Sequence, residues 1–204
     1  VLATGSRAVF PKSIPGVDGK NVYTVEEVLT GKADIAGKSV AMIGAGLTGL
    51  EVGEFLGEKG CKVAFVDMLK QAGANAYRNN VLDVMSRLGK MDVEWELGHT
   101  LKEITADGVV IENVDNKEEK KIAADAVVLS LGYSSDRSLK DALEEKGLVV
   151  CLVGSAIKDG TIAPATKSGY EVGANLFRKP EPSFVVTGDE LSNFAKVSHM
   201  RGQE

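Results

Sequence analysis

The string Gly44-Ala45-Gly46-Leu47-Thr48-Gly49 sets the tightest limits on what this chain can become. As a bare G-x-G-x-x-G it says little, because glycine is common. Its surroundings say more. Ser39-Val40-Ala41-Met42-Ile43 precedes it, a short apolar run without alternation, as expected of a strand covered on both faces. Leu47, Leu50, Val52, Phe55 and Leu56 follow, mostly on one face of a helix predicted over 47–59 and closed by Gly60. Lys62-Val63-Ala64-Phe65-Val66 reads as the next strand. The stretch 39–66 therefore has the size and order of a parallel strand–helix–strand crossover. In such a unit Gly44 permits a tight turn and Gly46 lets a pyrophosphate approach the backbone. Gly49 lets helix and strand pack closely. The free N–H groups of the helix start, with Ala45, Leu47 and Thr48 in the loop, would face the phosphates.

The second requirement is an acid ~20 residues on, at the end of the next strand. Asp67 stands there. Its carboxylate would accept hydrogen bonds from the ribose hydroxyls and repel a 2′-phosphate. Neither Arg nor Lys occupies 66–69, which predicts NADH over NADPH; Lys70 leaves the second open. Glu51 has two readings. It is an acid favoured by the dipole in the first turn of the helix, or a carboxylate near the nicotinamide end of the cofactor.

Elsewhere the texture varies. Pro11, Pro15, Gly16 and Gly19 make 6–24 linker-like, and Thr24 with Glu26 and Glu27 predicts a capped short helix to Leu29. A helix is expected over 76–88 and a strand over 92–96. Strands at 101–105, 109–112 and 121–130, joined by polar turns, read as an antiparallel meander attached to the parallel sheet. Beyond Gly132 the pattern predicts a helix over 136–146, a strand over 148–153 ending at Gly154, and a helix over 163–177 with Pro164 in its first turn. Lys179-Pro180-Glu181-Pro182 is a stiff break, and 184–186 is strand-like. Val1-Leu2-Ala3-Thr4-Gly5 reads as a strand end meeting a turn, so the sequence is expected to begin inside a larger protein.

Several function classes recede. The net charge is −5 with no long basic run, against nucleic acid or an anionic membrane as main partner. No apolar run approaches the ~18 residues of a membrane span. Cys61 and Cys151 form no CxxC, cluster or zinc pattern, so both are expected as reduced core thiols in a cytoplasmic protein, with no metal site. No Ser/His/Asp, Cys/His or paired-carboxylate constellation appears, and His99 and His199 are expected on the surface.

Residues 1–177 resemble the C-terminal half of the NADH:flavin oxidoreductases of the 2,4-dienoyl-CoA reductase and 2-enoate reductase family. The likeness runs through Val1-Leu2-Ala3-Thr4-Gly5, the crossover-like Ile14-Pro15-Gly16-Val17-Asp18-Gly19 and Val22-Tyr23-Thr24-Val25-Glu26-Glu27-Val28-Leu29. It continues through Gly44 to Glu51, Val63 to Met68, and Val127-Val128-Leu129-Ser130-Leu131-Gly132-Tyr133. The resemblance implies that NADH binds an inserted domain and passes hydride to FAD. Electrons then cross an iron–sulfur cluster to FMN in a separate barrel, where a C=C bond is reduced. It adds Met68 and Gly132 to the NAD set, places Glu51 near the nicotinamide, and puts Ala3, Thr4, Gly5, Gly154 and Ser155 at the FAD. The sequence departs from that pattern: barrel, cluster cysteines and the first FAD glycine loop are absent. Ser155 stands where the family has the Asp that binds the flavin ribityl chain, and Gly188-Asp189 is an alternative equivalent. Flavin retention by this chain alone is therefore not expected.

The expected fold class is α/β: a Rossmann-type domain (parallel sheet with antiparallel meander) plus part of a second, FAD-type domain. The expected boundaries are 1–36 for partial FAD-type domain and crossover, 37–132 for the NAD(H) domain, and 133–204 for the FAD-type remainder and tail. The expected function is the NADH-binding portion of a flavin oxidoreductase, its partner the rest of a larger flavoprotein or a second copy. The alternatives are a module that holds NAD or ADP without turnover and, against the strand ends and the meander, an unrelated Rossmann dehydrogenase.

Overall fold

The computed structural model describes residues 1–176. They divide into two units, one formed by Val1–Arg7 with the described residues from 133 on, the other by Ala8–Gly132. Residues 8–36, grouped with the flavin-side segment in the sequence reading, thus pack with the glycine-loop unit.

A short strand, β1 (Ser6–Ala8), leads into the larger unit, whose first elements are β2 (Val22–Thr24) and α1 (Val25–Leu29). Thr24 caps α1 reciprocally. Its Oγ1 accepts from the Glu27 N–H at 3.2 Å, and its own N–H donates to Glu27 Oε2 at 2.8 Å. The bonds donated by Thr24 hold the Glu27 carboxyl below its ordinary value. Then come β3 (Ser39–Ile43), α2 (Leu47–Glu58), β4 (Lys62–Asp67), α3 (Arg78–Leu88) and β5 (Val93–Leu97). The meander follows as β6 (His99–Thr105), β7 (Gly108–Asn113) and β8 (Glu119–Ala123), and β9 (Ala126–Leu129) closes the unit.

The main sheet is parallel, in the order β2-β9-β3-β4-β5, and β6-β7-β8 form a separate antiparallel sheet. Its central strands explain the unalternating apolar run. Val40 and Met42 of β3, Val63 and Phe65 of β4, and Ala126 and Val128 of β9 pack in one cluster with Leu50, Val52 and Leu56 of α2. The intervening Ala41, Ile43, Ala64, Val66, Val127 and Leu129 pack in another with Ile104, Val109, Ile111 and Ile122 of the meander. Both faces of these central strands are buried, so both sets of side chains must be apolar.

Three expectations change. The run 121–130 is two strands in two sheets, not one. The break falls at Ala124-Asp125, where the Asp125 carboxylate accepts from the Ser39 N–H at 2.9 Å and Oγ at 2.6 Å, clasping the start of β3. Second, the helix expected over 136–146 shortens to α4 (Lys140–Glu144), which follows β10 (Tyr133–Ser135). Asp136 is held instead by a turn: its Oδ1 accepts from the Ser138 N–H and its Oδ2 from Arg7 Nε. Third, 148–153 forms no strand. Only an isolated parallel bridge joins Leu152 to Leu2, and Leu148 and Val149 stay exposed. A 3₁₀ turn (Gly154–Ala156) and α5 (Ile162–Asn175) complete this unit. Cys61 is buried as expected, whereas Cys151 is half-buried; His99 is half-buried on β6. His199, Gly188-Asp189, 179–182 and the strand-like 184–186 lie outside the described residues. Among the described residues no helix is long and apolar enough to cross a membrane.

Candidate functional site

Each glycine of the loop has a separate physical reason. Gly44 has φ +106°, and a Cβ there would lie 2.2 Å from the Ser130 carbonyl oxygen. Gly49 is buried in the first turn of α2, and its Cβ would lie 2.1 Å from the Gly44 carbonyl oxygen. Backbone approaches backbone at both. Gly46 differs: it is exposed, its backbone is extended (φ −68°, ψ 175°), and a Cβ would meet nothing within 4 Å. The fold tolerates a side chain at Gly46 and forbids one at Gly44 and Gly49. The space beside Gly46 is therefore the space a ligand would use.

Gly46 is also the N-cap of α2, and no side chain caps that end. The first N–H groups of a helix have no partner within it. Here they are left for a group outside it, and the helix dipole favours an anion.

Asp67 ends β4 beside this loop and is more engaged than the sequence indicates. Its Oδ2 accepts from the Ala45 N–H at 2.7 Å and its Oδ1 from the Leu69 N–H at 2.8 Å. The carboxylate thus shapes the glycine loop. An ionised carboxylate has about four acceptor positions, so it keeps capacity for ribose hydroxyls. The Ala45 carbonyl in turn accepts from the Gly73 N–H at 2.8 Å. This bond ties the loop after β4 to the glycine loop, and the two border an open cleft of about 150 Å³. Ala45, Gly46, Leu47, Asp67, Leu69, Gln71 and Ala74–Ala76 line it.

The structure brings Gly44–Gly49 and Asp67 together. Thr48 and Met68 are exposed beside them. Gly132 is exposed at φ +82°, its carbonyl accepting from the Val9 N–H. Glu51 is exposed, but it is the fifth residue of α2, and no acid occupies the first turn. The dipole reading of Glu51 therefore loses its basis, since that effect fades within the first turn. Sequence reasoning missed Ser130 beneath Gly44, and Gln71, Asn75 and Gly73 in the cavity loop. The small-residue run Ala72-Gly73-Ala74-Asn75-Ala76 was the available signal. It also missed Gly53, whose Cβ would lie 2.2 Å from the Phe65 ring, stacked in turn on Trp95 at 4.6 Å.

The residues assigned to flavin lie in the other unit. Leu2 and Leu152 are bridged in parallel, so Ala3–Gly5 and Gly154–Ser155 emerge at the same end of that pair. Thr4 Oγ1 donates to the Asp136 carbonyl, and the Gly154 N–H donates to Ser168 Oγ at 2.9 Å. The sequence carries one G-x-G-x-x-G, at 44–49. The uncapped helix start and the open space at Gly46 have the chemistry to take the pyrophosphate of a dinucleotide.

A family profile described as Pyridine nucleotide-disulphide oxidoreductase matches residues 1–155. The chain belongs to this family. Pyridine nucleotide-disulphide oxidoreductases are NAD- and FAD-dependent oxidoreductases with Rossmann-type folds, and the parallel sheet and glycine loop described above are of that type. The chain is similar to an NADH oxidase of Thermoanaerobacter brockii, 35% identical over 176 residues that cover 84% of this chain and 27% of the relative. A cinnamate reductase of Clostridium sporogenes is 31% identical over 181 residues, 86% of this chain and 26% of the relative. A solved 2-naphthoyl-CoA reductase complex superposes with a TM-score of 0.75 at 28% identity, covering 84% of this chain and 26% of that one. The chain thus spans about a quarter of the length of these relatives.

Replacing Asp67 by serine is expected to weaken NADH binding by about tenfold or more, since charge-assisted hydrogen bonds contribute ~1.5–3 kcal/mol. The same change should narrow any preference over NADPH. Paired titrations with the two cofactors check this, and an unchanged preference ratio would remove Asp67 from the selectivity argument.

Proposed function

We infer that this chain is the NADH-binding portion of a flavin-dependent oxidoreductase that passes hydride from NADH to FAD. The electrons serve the reduction of an enoate- or enoyl-type C=C bond or another acceptor. The observation that carries the reading is Gly46: an uncapped helix start, open space where a side chain would stand, and Asp67 beside it. Bound NADH would supply the hydride. Gly44, Ala45, Gly46, Leu47, Thr48 and Gly49 would hold its pyrophosphate, Asp67 its ribose, and Met68 and Gly132 would border it. Glu51 would lie toward the nicotinamide. Ala3, Thr4, Gly5, Gly154 and Ser155 would contribute to a flavin site completed by other residues. The 2,4-dienoyl-CoA and 2-enoate reductase assignment draws support from the relatives named for cinnamate and 2-naphthoyl-CoA, both unsaturated carbonyl compounds.

A second reading is a module that holds NAD or ADP without turnover. The uncharged Ser155, in place of a ribityl-binding acid, favours it. A chimera separates the two. This chain replaces the matching 27% of the Thermoanaerobacter brockii NADH oxidase, and flavin loading is confirmed by absorption. NADH-dependent dye reduction is expected. A flavin-loaded chimera that binds NADH and reduces nothing would establish the module instead.

A further inference from the structure

Lys70 is the only Lys or Arg between Val66 and Tyr77, the stretch that leaves β4 and lines the cavity. Its neighbours Leu69 and Gln71 face that cavity and Lys70 does not. The ammonium instead lies 2.6 Å from Asp115 Oδ2, on the turn between β7 and β8. Two backbone hydrogen bonds fix this turn beside the cavity loop, both made by Gly98. The Gly98 N–H donates to the Leu69 carbonyl at 3.1 Å, and its carbonyl accepts from the Val114 N–H at 2.8 Å. A Cβ at Gly98 would lie 3.5 Å from Lys70 Cγ, so the lysine stem runs across this glycine. Asn113 Oδ1 braces the turn by accepting from the N–H groups of Asp115 and Asn116 at 3.0 and 3.3 Å.

We propose that Asp115 is a positioning residue for dinucleotide selectivity: it holds Lys70 on the meander turn, away from the ribose edge that Asp67 occupies. The inference rests on the NADH reading of the site. A 2′-phosphate is recognised by a nearby cation, and Lys70 is the cation nearest in sequence to Asp67. With Lys70 neutralised by Asp115, the 2′-phosphate of NADPH meets only the Asp67 carboxylate. Freed, the flexible lysine stem can turn toward that phosphate. Both side chains are about two-thirds exposed (67% and 66%), so the hold is soft and its removal leaves the fold intact.

The test is Asp115→Asn, titrated with NADPH and NADH. An exposed ion pair shifts such an equilibrium by no more than about fivefold, and a gain of that order in NADPH affinity is expected, with NADH unchanged. Adding Lys70→Met should abolish the gain. In the parent background, Lys70→Met should change neither affinity. No gain in Asp115→Asn would overturn the proposal. So would a gain that persists without Lys70, because Asp115 would then act by its own charge. A parent chain that binds neither cofactor would instead overturn the NADH reading beneath it.

Discussion

Gly46→Val is expected to abolish NADH binding while the protein stays folded. The backbone at Gly46 is already extended, a conformation valine adopts without strain, and its Cβ enters open space. Valine is a poorer N-cap than glycine, which costs about 1 kcal/mol. The branched side chain would stand where a pyrophosphate must approach the first N–H groups of α2. Losing two charge-assisted hydrogen bonds of ~1.5–3 kcal/mol each weakens binding by more than about 100-fold. Titration with NADH, alongside circular dichroism of the variant, measures both halves. A variant that binds like the parent would place the cofactor elsewhere.

Gly49→Ala should do the reverse. Its methyl group would lie 2.1 Å from the Gly44 carbonyl oxygen, and backbone cannot yield as a side-chain tip can. Helix and loop must separate, at a cost of about 3 kcal/mol. For a chain of this size that lowers Tm by roughly 6–12 °C. Thermal unfolding of Gly49→Ala and Gly46→Ala, measured side by side, should show a large drop for the first and little change for the second. Equal drops would mean that the loop glycines share one structural role.

The contrast between these glycines shows what the sequence alone carries. The strand–helix–strand unit was legible because Val40 to Ile43 and Val63 to Val66 must be apolar on both faces, leaving a pattern that few other placements satisfy. The place of Asp67 at the end of β4 was legible by its spacing. Its bonds to Ala45 and Leu69 were not, because spacing says nothing of which backbone groups need a partner. Strand β2 hid inside a Pro- and Gly-rich stretch. It is three residues long, and its existence depends on pairing Val22 with Val127 across the sheet. The division of 121–130 into β8 and β9 likewise follows from Asp125 reaching Ser39, a contact between residues 86 positions apart. At 148–153 the apolar composition promised a strand, but a strand also needs a partner along its length, and Leu2 supplies a single bridge. Lys70 was ambiguous in the sequence because its partner, Asp115, lies on a turn of the meander.

Amide-resolved NMR of the chain during an NADH titration tests the central claim most directly. Saturable shifts are predicted at the amides of Gly44 to Gly49, at Asp67, and through the cavity loop from Leu69 to Ala76. A folded protein whose spectrum is unmoved by NADH, or that shifts only outside these segments, would contradict the account.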